Sequence, residues 1–133
     1  MTTDVGTGWR VGGASVRGPS HVRSGAPNED SWLSLPATTA RPAIAAVADG
    51  HGAAPYFRSQ QGAEMAVRAA ASVLEAQIDD ADGADLASAI VTRWRGDVQA
   101  HMAAYPYSEA ERKLAGQPPL SPYGATLVAA GVN

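Results

Sequence analysis

The 133-residue sequence predicts an α+β domain. Three observations carry that expectation. Short apolar stretches bounded by Gly and Pro crowd the first fifty residues, and two long runs at helical spacing fill the middle. A last apolar stretch covers residues 123–132.

Residues 1–8 are expected as a flexible N-terminus and 9–133 as one unit. Trp9, Val11 and Gly13, then Ala14 and Val16 after a phase slip, suggest a strand over 9–16 with a bulge at the Gly12-Gly13 pair. Gly18-Pro19-Ser20 breaks it, and a loop runs to Pro27. Residues 31–35 read as a second strand stopped by Pro36. Residues 43–49 read as a third, whose near-continuous apolar character predicts burial on both faces.

Met65, Ala66, Ala69, Ala70, Val73, Leu74 and Ile78 recur at helical spacing and predict a helix over 57–78. Asp79-Asp80-Ala81-Asp82-Gly83 ends it, and Asp82 is placed to cap a second helix over 84–104 with the stripe Leu86, Ile90, Trp94, Val98, Met102. Pro106 stops that helix. Ser108-Glu109-Ala110-Glu111 has the capping-box form, predicting a short helix to Leu114 with Gly116 as its C-cap. Residues 117–122 read as loop, and 123–132 as a strand of central character. Such a strand needs neighbours, and they would follow in sequence, so the expectation is a chain that stops mid-domain.

Composition narrows the function. A 45% hydrophobic fraction is that of a globular chain, but much of it is alanine, so the core must rest on few large side chains. A formal charge of -3 with no dominant basic face argues against nucleic acid as partner. Cysteine is absent, which excludes disulfides and thiolate metal sites. No apolar run reaches membrane-spanning length and the first residues lack a signal pattern, so no membrane partner and a cytoplasmic location are expected.

The chemistry concentrates in the run 43–52. A small apolar strand delivers Asp49, Gly50, His51 and Gly52 at its end, where a carboxylate is well placed for a hard cation and glycines allow close approach. Asn28-Glu29-Asp30-Ser31 places two more carboxylates ahead of the preceding strand. Together they read as half of an acidic metal site.

These segments, in this order, resemble the metal-dependent protein phosphatases of type 2C (the PPM type), in their bacterial branch. The resemblance rests on residues 17–25, Asn28-Glu29-Asp30-Ser31, Val47-Ala48-Asp49-Gly50-His51-Gly52 and Gly124-Ala125-Thr126-Leu127-Val128. It covers the chain from about Trp9 on, as the N-terminal half of a family domain. It implies a partial α/β/β/α sandwich of mostly antiparallel sheets flanked by helices. It also implies hydrolysis of phosphoserine and phosphothreonine in phosphoprotein substrates by water activated between two Mg²⁺ or Mn²⁺ ions. By resemblance Asp49 is the bridging ligand, Gly50 offers its carbonyl oxygen, and Glu29 or Asp30 completes that ion's shell. His51 is the general acid and Arg23 the phosphate-binding residue, with Arg17 and His21 also open for that role. The family's further aspartates come from its C-terminal half, so this chain alone is expected to bind metal weakly and hydrolyse little.

Plainer readings stand beside these. Asp-Gly is a common turn pair, Glu29-Asp30 a loop charge pair, Arg23 a surface arginine, and His51 a locally packed ring. His101 is read as structural, near a helix C-terminus where a cation is favourable, and Thr126 as a packing position bonded inside the sheet. The alternative function is a non-catalytic half-domain acting as a regulatory or binding module, with self-association through open sheet edges. A phosphohydrolase acting on small molecules is a third reading.

Overall fold

The computed structural model describes residues 8–116 and 118–133. The expected flexible N-terminus, Gly8 excepted, and Gln117 of the expected loop lie outside those residues. Three strands, β1 (Ser31–Leu35), β2 (Ala43–Gly50) and β3 (Ala125–Val132), form one antiparallel sheet in the order β1-β2-β3. Helices α2 (Ser59–Gln77) and α3 (Gly83–Ala104) form a layer on one side of it, with α2 against the sheet. Two short helices, α1 (Pro19–Ser24) and α4 (Glu109–Leu114), complete the chain. Among the described residues no helix is long and apolar enough to cross a membrane.

The α+β expectation holds, and the elements depart from their expected bounds for identifiable reasons. Residues 9–16 form no strand. Gly13 instead lies against the Trp32 ring, so close that a Cβ there would collide with it, and the segment crosses the sheet's face rather than pairing along an edge. The loop after Gly18 contains α1, with Pro19 in its first turn and Gly25 at φ 74° ending it, the Pro-in, Gly-out asymmetry of helices. α2 begins at Ser59 because a tight turn, Ala54–Tyr56, takes up the preceding residues. Asp82 caps α3 as expected, accepting from the N–H groups of Ala84 and Asp85 at 2.9 Å. The Ser108–Glu111 capping box is complete. Ala115, not Gly116, caps α4, in an extended conformation that needs no glycine. A second tight turn, Ser121–Tyr123, shortens β3 at its start.

The expectation of β2 buried on both faces is overturned. Ile44, Ala46 and Ala48 are buried under α2, whereas Ala45, Val47 and Asp49 are exposed. Among the described residues the helices cover one face of the sheet only, and a run of small apolar residues does not reveal which face is covered. Among the described residues β3 pairs on one side only, with β2, and Val128 is 68% exposed.

The core is alanine-rich, as composition implies. Ala46, Ala48, Ala63, Ala66 and Ala70 pack around Val67, and Ala71 packs with Ile44 and Leu74. Small side chains let backbones approach closely. At Gly62 a Cβ would overlap the Tyr123 carbonyl oxygen, and the Trp94 indole N–H donates to the Gly62 carbonyl at 3.0 Å. Beside this contact, Arg58 donates to the Tyr123 hydroxyl (2.8 Å), the Tyr105 carbonyl (2.6 Å) and the Glu111 carboxylate (3.3 Å), with its guanidinium 4.7 Å from the Tyr107 ring centre. His101 Nδ1 and the Tyr123 hydroxyl are 2.7 Å apart, a structural role for that histidine. One arginine thus ties the start of α2 to the end of α3, to α4 and to the approach to β3.

Gly62→Ala should lower stability by about 2 kcal/mol or more, because backbone atoms must move to admit the methyl. Gly96→Ala, on an exposed part of α3 with open space around it, should raise stability by about 0.5–1 kcal/mol. Chemical unfolding of the two variants checks the contrast. Burial, then the neighbouring Tyr123, pushes the Tyr107 phenol up to about 12, against the pull of Arg58. Ultraviolet titration should therefore show one tyrosine ionising about two pH units late, and Tyr107→Phe should remove it. Above roughly pH 10, where a free tyrosine ionises, the unfolded chain holds fewer protons than the folded one, so stability should fall as pH rises from there to about 12.

Candidate metal centre

The register of the sheet sets the site. Ser31 pairs with Ala48 in β1 and β2, and continuing that antiparallel ladder by one residue places Asp30 opposite Asp49. Asp49 in turn faces Thr126 across β3. Side chains alternate along a strand, so Asp49 shares the uncovered face with Val47, whose ladder partner is Trp32. Thr126 belongs to that face too, exposed beside Asp49 rather than bonded inside the sheet.

Local chemistry fixes the loop that carries Asp30. The Asn28 side-chain carbonyl accepts from the Asp30 N–H at 3.2 Å, and its amide donates to Ser15 Oγ at 2.7 Å. The first bond is an Asx turn, legible from an Asn two residues before an Asp. The second draws the segment around Ser15 over the site, and that segment, Trp32 and the two aspartates border a shallow cleft of about 300 Å³. Asp30 and Asp49 are close enough to share a hydrogen bond. Partial burial first, then that bond and the negative charges of Asp49 and Glu29, push the Asp30 carboxyl above its ordinary range, while the His21 imidazole pulls it down. Two carboxylates held together in this way repel when both are ionised.

The two other acidic candidates separate. Asp30 joins Asp49, while the Glu29 carboxylate turns to the start of α2, accepting from Ser59 Oγ at 2.9 Å. Ser59 is fully buried, and its partnership with Glu29 carries no signal in sequence spacing. The same carboxylate lies beside Gly52, where φ is 63° and a Cβ would meet Glu29 Oε2 at 2.7 Å. Gly50 is equally constrained, since a Cβ there would meet the Glu29 backbone oxygen at 2.7 Å. Both glycines of the Asp-Gly-His-Gly run therefore make room for Glu29.

His51 is exposed. Its ring packs edge-on against Tyr56, with centres 4.7 Å apart, and over Gly124, where a Cβ would meet His51 Cδ2 at 2.8 Å. Arg23 is exposed in the last turn of α1. Arg17 reaches back to the carbonyls of His21 and Val22 at 3.3 and 3.5 Å, closing on the end of that helix. His21 is the basic side chain whose charge acts on the Asp30 carboxyl. Among the described residues no group of three or more acidic, histidine or cysteine side chains is gathered for a metal. The candidate centre is a pair.

A family model described as protein phosphatase 2C matches residues 17–133, from Arg17 before α1 to the end of β3. The chain belongs to the protein phosphatase 2C family. No curated protein and no solved structure matches it. Family membership gives the ordered acidic segments a common frame: the matched span contains both loops that meet at Asp30 and Asp49, and the sheet beneath them.

Asp30→Asn should raise the melting temperature in the presence of a chelator at neutral pH, because it removes one of the repelling charges. In the wild-type protein the raised carboxyl keeps its proton longer in the folded than in the unfolded state. Stability should therefore decline as pH rises through the range above roughly 4, where a free aspartate ionises. The asparagine variant should show a flatter profile over that range.

Proposed function

We propose that this chain supplies a divalent-cation site for hydrolysis of phosphoserine and phosphothreonine in phosphoproteins. The observation that carries the reading is the adjacency of Asp30 and Asp49 on two neighbouring strand ends, in a cleft on the uncovered side of the sheet. Their donors suit Mg²⁺ or Mn²⁺: hard anionic oxygens, already held close at an electrostatic cost that a cation would relieve. Asp49 and Asp30 would hold the ion, with the Gly50 carbonyl as the next oxygen along the strand. A bound ion of this kind lowers the pKa of a coordinated water and withdraws charge from a phosphoryl oxygen.

The chain's own residues divide the remaining work. His51, braced by Tyr56 and Gly124, is the proton donor for the departing serine or threonine oxygen. Arg23 is the phosphate-binding residue, and His21, whose charge already acts on Asp30, lies nearer in effect to the carboxylates. Glu29 supports the site from behind, adding negative charge and anchoring its loop to Ser59. Two carboxylates and one carbonyl fill about half of a six-oxygen shell. Weak binding of one ion, and little turnover by this chain alone, follow.

A second reading, a non-catalytic binding or regulatory module, draws on the size of that donor set: two neighbouring carboxylates, with no third metal-type side chain gathered to them among the described residues. Calorimetric titration with Mn²⁺, followed by an assay on a phosphothreonine peptide, separates the two. Saturable binding that Asp49→Ala weakens at least tenfold, about 1.4 kcal/mol, supports the metal site, and Mn²⁺-dependent turnover lost in the same variant supports the enzyme. Binding with no turnover even at the highest enzyme concentration, where the slow hydrolysis expected of this chain would still be seen, favours the module. Absence of Mn²⁺ and Mg²⁺ binding, or turnover indifferent to Asp49→Ala, sinks the proposal.

A further inference from the structure

We propose that Ser59 is a positioning residue for the acidic pair, acting through Glu29; the inference rests on the reading of that pair as a cation site. Ser59 opens α2 and is wholly buried. Its hydroxyl donates to Glu29 Oε1 at 2.9 Å, across 30 residues of sequence. The other carboxylate oxygen, Oε2, lies where glycine at position 52 leaves room, 2.7 Å from where a Cβ would stand. Ser59 Oγ also sits beneath Gly50, 3.1 Å from the place of a Cβ there, and the Glu29 backbone oxygen is 2.7 Å from the same point. One glutamate thus joins three segments: the loop before β1, the residues after β2 and the first residue of α2.

The end of α2 explains why the carboxylate turns that way. Arg58, the N-cap, makes no capping bond with its side chain, and the first turn carries no acidic residue. The start of a helix bears partial positive charge and favours a carboxylate, which here comes from another element. This anchorage fixes the backbone at residue 29, and the next residue is Asp30, which the sheet's register sets opposite Asp49. Two ionised carboxylates side by side repel, and both of these are exposed, so an untethered loop would let them part. The Ser59–Glu29 bond opposes that separation from the buried side. The pair is therefore gathered before a cation arrives, which favours binding. By reciprocity, a bound cation must increase what the same bond contributes to stability.

Calorimetric titration of the whole chain with Mn²⁺ tests the proposal. Ser59→Ala should weaken binding about fivefold or more, the lower end of ordinary coupling between sites. Ser59→Cys, close in size but a poor donor, should do the same with the packing kept, and it gives the answer if the alanine variant does not fold. In a Glu29→Ala background, Ser59→Ala should change Mn²⁺ affinity no further. Thermal unfolding is the second readout: the drop in melting temperature caused by Ser59→Ala should be larger with saturating Mn²⁺ than with a chelator. Val73→Ala, at a buried position roughly 21 Å further along α2, should lower the melting temperature equally in both and leave affinity alone. Unaltered affinity in the Ser59 variants, a further loss in the Glu29→Ala background, or a drop indifferent to Mn²⁺ overturns the proposal while the cation site stands. A wild-type chain that binds neither Mn²⁺ nor Mg²⁺ overturns the site and this inference together.

Discussion

The contact between Gly62 and the backbone of Tyr123 is the constraint on which the rest of the structure depends. It lets the turn before β3 rest directly on α2, and the Arg58 N–H bonds the Pro122 carbonyl at 3.0 Å alongside. From there the chain can only continue through Gly124 into β3, in register with β2. That register sets Thr126 against Asp49 and seats the His51 ring on Gly124. Tyr123, wholly buried, has its hydroxyl shared by Arg58 and His101, so the joint is satisfied in hydrogen bonds as well as packed. The precision of the acidic pair at one end of the sheet thus rests on a backbone contact in the helix layer.

The two faces of the sheet do different work. Under α2 the side chains are small, and alanine on both partners brings helix and sheet close together. On the other face Trp32, Val47 and Val128 stand exposed with the aspartates at one end. Carboxylates there retain access to water and ions, which a closed core would forbid. The Glu29–Asp30 pair straddles this division. Adjacent residues in extended backbone point to opposite sides, so Asp30 meets Asp49 in the cleft while Glu29 meets Ser59 beneath the loop. A dipeptide that looks like one acidic site in sequence serves two purposes in space.

Much of this was legible in the sequence. The capping residues Asp82 and Ser108 and the α3 stripe through Val98 depend on neighbours within a few residues, and each stands as its spacing implies. The α1 helix carries its own local signals in Pro19 and Gly25, although the spacing of apolar residues does not mark it. Alternation at 9–16 misled because a glycine pair can follow a ring as readily as a neighbouring strand.

By itself the sequence determined the α+β class, the order of the elements from β1 onward, and which acidic residues are candidates, because periodicity, caps and side-chain chemistry are local properties. Only the tertiary structure decided which face of β2 is covered, which of Glu29 and Asp30 joins Asp49, and where Arg58 anchors. Those outcomes depend on strand register and on which backbones touch across dozens of residues. A chain built so largely of alanine and glycine does not write such distances into its pattern.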